Sequence, residues 1–325
     1  MAASRFVTAT AVFLLVGSMA ACQAGVQSQS SAPSSPVAAG ARTSAPSATP
    51  EATPFVATPP PSAPPSSPPT ENLTETIDRT NFSHPTTIDN RWFPLVPGTR
   101  LVHKGSGIVD GVRTPHRVVL VVTDLTKVVD GVRSVVIYEL DFDEEDLVEA
   151  EIAFFAQDDD GVIWHLGQYP EVFEDGKLIE TPVWIAGQHD AKAGITIKAQ
   201  PQLGGPSYSQ GWGPEVGWAD RARVFEVDSR TCVPTGCYDG VLVTDEFNRD
   251  EPDAHQLKYY APGLGVVRVG WAGALEAEQE VLELVEVSHL DAAGLAKIRA
   301  EVLAMEQRAY KSSKEVYAKT TPMER

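Results

Sequence analysis

Residues 132–154, VRSVVIYELDFDEEDLVEAEIAF, show the pattern from which the fold follows. Apolar and acidic side chains alternate along two runs on either side of the acidic turn 143–146. A period of two residues places successive side chains on opposite faces of a β-strand. The pattern therefore predicts a hairpin with one apolar, buried face and one acidic, solvated face. The apolar positions are Val136, Tyr138, Leu140, Phe142, Val148, Ala150, Ile152 and Phe154, and the acidic positions are Glu139, Asp141, Glu149 and Glu151.

Asp-Gly pairs recur on both sides of this hairpin and predict further tight turns. Two-residue hairpin turns need positive φ at both central positions, which Asp and Gly tolerate. Because such pairs punctuate the alternating runs, we expect a mainly β domain built as a curved antiparallel meander. A half-open barrel and a two-layer sheet both fit this pattern. The pairs are Asp110-Gly111, Asp130-Gly131, Asp160-Gly161, Asp175-Gly176 and Asp239-Gly240.

The apolar period changes after Val287, and this change predicts one C-terminal α-helix over residues 289–317. Ser288 and Asp291 have the spacing of a capping box. Fewer than three clean heptads follow, so we expect the apolar face to dock on the sheet, with partner binding as the alternative. Residues 318–325 are expected to form a disordered tail. The apolar positions of the helix are Leu295, Ile298, Val302, Met305 and Ala309.

The N-terminus has the features of an export signal. Arg5 precedes an apolar run, 6–17, that is too short to anchor the chain stably across a bilayer. The sequence Ser-Met-Ala-Ala-Cys at 18–22 resembles the lipobox of bacterial lipoproteins. The resemblance implies cleavage of a signal peptide over 1–21 and a lipid on Cys22. The alternative is an ordinary secretory signal that leaves the Cys22 thiol unmodified.

Residues 22–74 are dominated by Ser, Ala, Pro and Thr, and they predict a disordered tether. Proline stiffens such a chain toward polyproline II, with roughly 3.1 Å per residue when extended. The tether could therefore reach on the order of 150 Å. We expect the globular β-rich domain, 75–288, to stand clear of the membrane.

Cys232 and Cys237 bracket the turn sequence Val-Pro-Thr-Gly. Two cysteines this close across a turn in an exported chain most simply form a hairpin disulfide. A metal site would need further soft ligands, and Cys22 is the one remaining cysteine.

The formal net charge is −18, and almost all of it lies beyond the first 70 residues. Such a field repels phosphate backbones and anionic lipid head groups, so we exclude nucleic acid as a partner. Membrane contact is expected through the lipid anchor alone. The sequence leaves the oligomeric state open.

No complete catalytic or metal-binding motif occurs in the sequence. Residues 207–211, SYSQG, lack the first glycine of a nucleophile elbow. Residues 158–161, DDDG, resemble part of an EF-hand loop, but the alignment puts Ala156 and Gly167 at ligand positions. We therefore assign no catalytic residue, metal or cofactor, and whether the protein is an enzyme stays open.

The glycine-rich stretch 204–219 carries Tyr208, Trp212 and Trp218. Large aromatic rings on a flexible loop provide contact area for a ligand. These three residues are the candidate ligand-binding residues. The alternative is that the rings plug the open end of a curved sheet.

The segment 89–99, DNRWFPLVPGT, resembles the start of the globular part in a family of exported bacterial proteins with the phrase Asn-x-x-Phe-Pro-Leu-x-Pro-Gly-Thr. The phrases at 154–158, 162–164 and 258–267 resemble the same family. The resemblance covers roughly residues 85–287. It implies a β-rich exported domain and no particular activity.

These observations predict an extracytoplasmic lipoprotein that is anchored to a bacterial membrane and displays a binding or structural domain. The expected ligand is apolar or amphiphilic and lies in the concave sheet, with the loop 204–219 at its rim. One alternative is a hydrolase of an envelope polymer that uses dispersed carboxylates. Another is a protein-interaction module that uses the C-terminal helix.

Overall fold

The computed structural model describes residues 72–109, 111–251 and 253–325. The signal segment, Cys22 and nearly all of the predicted tether lie outside this range. The described residues form fifteen strands and one α-helix. They are β1 (Thr99–Val109), β2 (Val112–Val129), β3 (Val132–Asp143), β4 (Asp146–Gln157), β5 (Ile163–Glu174), β6 (Lys177–Glu180), β7 (Trp184–Ile185), β8 (Lys192–Ile197), β9 (Tyr208–Ser209), β10 (Gly211–Trp212), β11 (Arg221–Val233), β12 (Gly236–Phe247), β13 (His255–Ala261), β14 (Gly265–Ala272), β15 (Val281–His289) and α1 (Ala292–Ser312).

The strands pair antiparallel in one curved sheet, which confirms the predicted meander. The order is β10-β8-β5-β4-β3-β2-β1-β15-β14-β13-β12-β11-β9, with β6 and β7 added beside β5. The Asp-Gly pairs at 130–131 and 175–176 have positive φ at both residues, as tight hairpin turns require. The prediction for Asp239-Gly240 was wrong, because this pair lies inside β12 and the chain turns between Val233 and Gly236.

The sheet curls into a nearly closed barrel whose seam lies at residues 208–212. β9 pairs with β11 at one edge of the sheet, whereas β10 pairs with β8 at the other edge. Only Gln210 separates these two strands in the chain, and its backbone N–H donates to Asp220 O at 2.8 Å. One short segment therefore joins both edges.

Residues 88–98 cover one end of the barrel, which we call the plug end. Phe93 and Leu95 are buried in the interior core. Gly263 N donates to Arg91 O at 2.7 Å, and Asn90 Nδ2 donates to Gly161 O at 2.9 Å, so the segment is tied to two turns between strands. The family-like phrase 90–99 thus serves to close the barrel.

The two faces of the β3–β4 hairpin pack into two different hydrophobic cores, one inside the barrel and one beneath α1. Val135, Ile137 and Phe155 point into the barrel, whereas Val136 and Phe154 lie on the outer face beneath α1. The predicted solvated acidic face was wrong: alternation places its acids on the same side as Ile137, inside the barrel. Curling of the sheet encloses that face, and the helix covers the other.

α1 docks on the sheet as predicted, with Val302, Met305 and Ala309 fully buried. Asp291 is the N-cap, and its side chain accepts from Gly294 N at 2.7 Å, so the expected capping box with Ser288 does not form.

Residues 318–325, expected to be a disordered tail, return to the barrel. Glu324 forms a β-bridge with Thr126, and Met323 is buried. Lys127 Nζ, at the end of β2, lies 2.9 Å from Glu306 Oε1 and donates to Thr321 O at 2.6 Å. A buried charge pair therefore fastens both the helix and the chain terminus.

Candidate functional site

Acidic residues line the interior at the end opposite the plug, which we call the acidic end. Glu139 lies directly opposite Glu151 in the β3–β4 register, and Asp141 lies directly opposite Glu149. Each of these residues is at most 4% exposed. Like charges at directly opposed positions destabilise a sheet even in water. Their enclosure in the barrel makes this arrangement the most unusual one in the described residues.

His116 is clamped between two of the surrounding carboxylates. Its Nε2 contacts Asp141 Oδ1, and its Nδ1 lies 2.7 Å from Glu280 Oε1. Burial disfavours the imidazolium, but the two carboxylates outweigh this effect and raise the pKa of His116 to about 11. Burial raises the pKa of Asp141 to about 6, although His116 lowers it. At neutral pH the pair is therefore ionised.

Lys258 is a second buried cation beside these carboxylates. Its Nζ lies 2.8 Å from Glu246 Oε2, and both side chains are almost completely buried. Burial and neighbouring carboxylates raise the pKa of Glu149 and of Glu151 well above the ordinary value. The Oε2 atoms of both residues lack a hydrogen-bond donor within the described chain.

This arrangement holds charge and protons, but it presents no group to a substrate. Both ring nitrogens of His116 are occupied by carboxylates, so neither is free to act as a general base. The carboxyl groups are sealed from solvent as well. The described residues contain no group of three or more His, Cys, Asp or Glu side chains arranged to hold a metal ion.

The concave face of the sheet is filled by side chains at the plug end. The interior core there includes Phe93, Leu101 and Leu120. A cavity of about 20 Å³ lies among these residues, beside His103 and Val266. This volume holds one or two water molecules and is far below that of a lipid chain. The geometry therefore does not favour an apolar ligand inside the barrel.

The predicted ligand residues lie at the seam. Tyr208 and Trp218 are 3% and 4% exposed, and Trp212 is half-buried in β10. The Trp218 ring stacks on Trp184 with 5.8 Å between centroids, and the Trp184 ring meets the edge of His165. The structure therefore brings Trp218 into a buried aromatic cluster and leaves Tyr208 on the other side of the joining segment.

The cysteine pair and the Asp-rich turn 158–161 have simple structural roles. Cys232 and Cys237 form the predicted disulfide at the tip of the β11–β12 hairpin. Asp158 accepts hydrogen bonds from Val162 N and Trp164 Nε1, which is the behaviour of a turn residue. Cys22 lies outside the described residues. In the part of the chain that the structure covers, no helix is long and apolar enough to cross a bilayer.

Sequence reasoning missed the buried acidic cluster. The acids at 139, 141, 149 and 151 were visible as one face of a hairpin, but a solvated face and an enclosed polar face have the same sequence period. Nothing in the sequence indicated the roles of His116 and Lys258, because their partners are distant along the chain. Asp141 is 25 positions from His116, and Glu246 is 12 positions from Lys258.

Comparison with known proteins finds only distant structural likeness. Neither a protein-family model nor a curated protein matches this sequence. A crystal structure of a candidate exported protein with a YmcC-like fold, from Bacteroides fragilis, is 12% identical, with a TM-score of 0.37, and the alignment covers 61% of this chain and 99% of that one. A candidate lipoprotein from Parabacteroides distasonis is 11% identical, with a TM-score of 0.34 and the same coverage. Similarity at this level carries no functional argument.

Proposed function

We propose that the chain is a lipid-anchored extracytoplasmic protein whose barrel acts as a non-enzymatic binding module. In this proposal the anchor is Cys22, the tether provides reach, and the outer rim of the acidic end binds a basic, amphiphilic partner. The observation that carries the proposal is the composition of that rim.

Three loops at the acidic end are both acidic and adjacent. The stretches 143–146, 248–254 and 273–280 contain ten acidic residues and one arginine. Two of the ten add little to the charge of the rim, because Glu280 is buried beside His116 and burial raises the pKa of Glu278 to about 9. Ile108 N donates to Glu278 O at 2.6 Å, and Leu275 N donates to Asp253 O at 3.0 Å, so two of the loops touch each other and the first hairpin. The electrostatic field at this rim attracts cations and repels anionic surfaces.

Apolar side chains stand exposed on the same rim. Val112 and Leu275 are each 64% exposed, and Trp271 is 38% exposed. Binding surfaces typically combine such apolar anchors with charges complementary to the partner. A partner with basic and apolar groups, such as a cationic amphipathic segment, fits this combination.

The anchor is tested in a bacterial host by fractionating cells that express the wild-type chain or the Cys22→Ser variant. We expect the wild-type chain in the membrane fraction, labelled by a clickable fatty acid. The variant should be released and unlabelled, because a single cysteine carries the lipid. An unlabelled wild-type chain, or a variant that stays in the membrane fraction, would contradict the anchor.

The rim is tested with the purified Cys22→Ser chain and two short peptides of alternating residues, one of Lys and Leu and the other of Glu and Leu. We expect calorimetry to detect binding of the Lys-Leu peptide alone, weakened several-fold by Leu275→Ser. The control is Leu203→Ser, since Leu203 is equally exposed, at 63%, but lies on another loop. Equal binding of both peptides, or equal effects of both variants, would remove the rim from the proposal.

A further inference from the structure

The opposed acids of β3 and β4 pose an electrostatic problem that the residues around them do not solve. Glu139 faces Glu151 and Asp141 faces Glu149, all within the barrel. A buried carboxylate is tolerated only when it is paired with a cation, binds a metal or carries a proton. The charged groups on the neighbouring strands and loops therefore decide whether each carboxyl is paired with a cation, binds a metal or is protonated.

Among the described residues two buried cations face this cluster, and each is already held by carboxylates. His116 on β2 contacts Asp141 and Glu280, and Lys258 on β13 contacts Glu246. On β5, the positions opposite Glu151 and Glu149 are Pro170 and Val172, which carry no charge. Further acidic groups surround the two cations. Glu246 on β12 and Asp220 before β11 lie around Lys258, whereas Asp143 at the end of β3 and Glu278 and Glu280 before β15 lie around His116.

Within the described residues, neither Glu149 nor Glu151 forms an ion pair with a cation. The Oε2 atom of each accepts no hydrogen bond, and the same holds for Asp141 Oδ2. Among the described residues no metal-binding group is formed. Both side chains are almost completely buried, so water does not solvate an ionised carboxylate there. A proton removes the charge, and a protonated carboxyl supplies the donor that its opposite oxygen lacks.

We propose that Glu149 and Glu151 carry protons in the folded barrel at neutral pH, and that their deprotonation loosens the acidic end by setting like charges against each other across β3 and β4. Asp141 stays ionised beside His116, so the proton of this pair resides on Glu149. In the second pair the proton resides on Glu151, opposite Glu139. The acidic end then responds to pH, whereas the apolar plug end does not.

The direction of the pH response follows from where the protons are. Burial raises the pKa of both glutamates in the folded chain, while the unfolded chain ionises near the ordinary value. At a pH between the unfolded-state and folded-state pKa values, the folded chain binds more protons than the unfolded chain. The free energy of unfolding therefore decreases as pH rises. Each such group changes the folding equilibrium constant up to about tenfold per pH unit.

The first test uses infrared spectroscopy of the purified wild-type chain at pH 7. We expect a carbonyl band from protonated carboxyl groups, reduced in Glu149→Gln and in Glu151→Gln. The control is Glu145→Gln, since Glu145 is exposed in the turn between the same strands. Absence of the band from the wild-type chain overturns the proposal without any variant having to fold.

The second test measures hydrogen exchange between pH 6 and pH 8, corrected for the intrinsic exchange rate. We expect amides of β3 and β4 near the acidic end to lose protection as pH rises, while the plug end keeps it. Glutamine at position 151 mimics the protonated group. In Glu151→Gln the protection should therefore depend less steeply on pH than in the wild-type chain, by up to about a factor of ten per pH unit. The proposal fails if Glu151→Gln keeps the full wild-type dependence, or if the wild-type chain is better protected at pH 8.

Discussion

Replacing Lys127 by Met tests how the C-terminal helix is held on the barrel. The Lys127 side chain is fully buried, and its Nζ lies 2.9 Å from Glu306 Oε1. The ammonium group also donates to Thr321 O and lies 4.4 Å from the centre of the Tyr317 ring. Methionine fits the space of the lysine stem but leaves the Glu306 carboxylate without its cation.

The expected loss is about 3–4 kcal/mol of the free energy of unfolding, within the range for breaking a buried ion pair by removing one partner. It lies at the lower side of that range because Glu306 keeps a hydrogen bond from Met323 N at 3.0 Å. The double variant Lys127→Met with Glu306→Gln should recover about 2 kcal/mol, since the uncompensated charge is then absent.

The assay is urea unfolding of the Cys22→Ser chain, followed by tryptophan fluorescence. The matched control is Arg133→Met, which removes a second ion pair to the same C-terminal segment. Arg133 and Glu324 are 42% and 65% exposed, so we expect a loss below about 1 kcal/mol. If Lys127→Met costs no more than Arg133→Met, or if the double variant is less stable than Lys127→Met, the buried pair does not fasten the helix.

Two further predictions concern the barrel closure and the hairpin disulfide. A Cβ on Gly194 would lie 2.1 Å from the backbone of Gln210, so Gly194→Ala should cost at least about 3 kcal/mol in urea unfolding by forcing the seam apart. Gly205→Ala should be nearly neutral, because the nearest atom to its Cβ is Gln202 O at 3.5 Å, an ordinary van der Waals contact. Replacing Cys232 and Cys237 by Ser removes a cross-link between residues five positions apart. The free energy of unfolding, measured by thermal unfolding, should therefore decrease by about 2 kcal/mol. A neutral Gly194→Ala, or a Cys pair variant as stable as the wild-type chain, would contradict the respective argument.

Local sequence signals predicted the elements of the fold well. The alternating runs indicated β3 and β4, the changed period indicated α1, and the cysteine spacing indicated the disulfide. Each of these depends on residues within one or two turns or strands, where side-chain direction follows directly from backbone period. The Asp239-Gly240 turn failed because a bulged strand accommodates the same residues.

The buried site could not be predicted in the same way. Whether Glu139 and Glu151 meet water or the barrel interior depends on closure of the sheet, and closure depends on Gln210 joining strands at opposite edges. The role of Lys127 likewise depends on its contact with Glu306, which lies 179 positions further along the chain. No local pattern contains these distances.

The order of residues is enough to predict a mainly β protein with one amphipathic C-terminal helix and an export signal over residues 1–21. Which face of the sheet lies inside depends on the closed barrel. A two-residue period specifies that two faces differ, but the sign of the curvature selects the one that is enclosed. In this protein the curvature puts the acids in the interior and the apolar face beneath α1, because a barrel encloses its concave face and a docked helix covers the convex one.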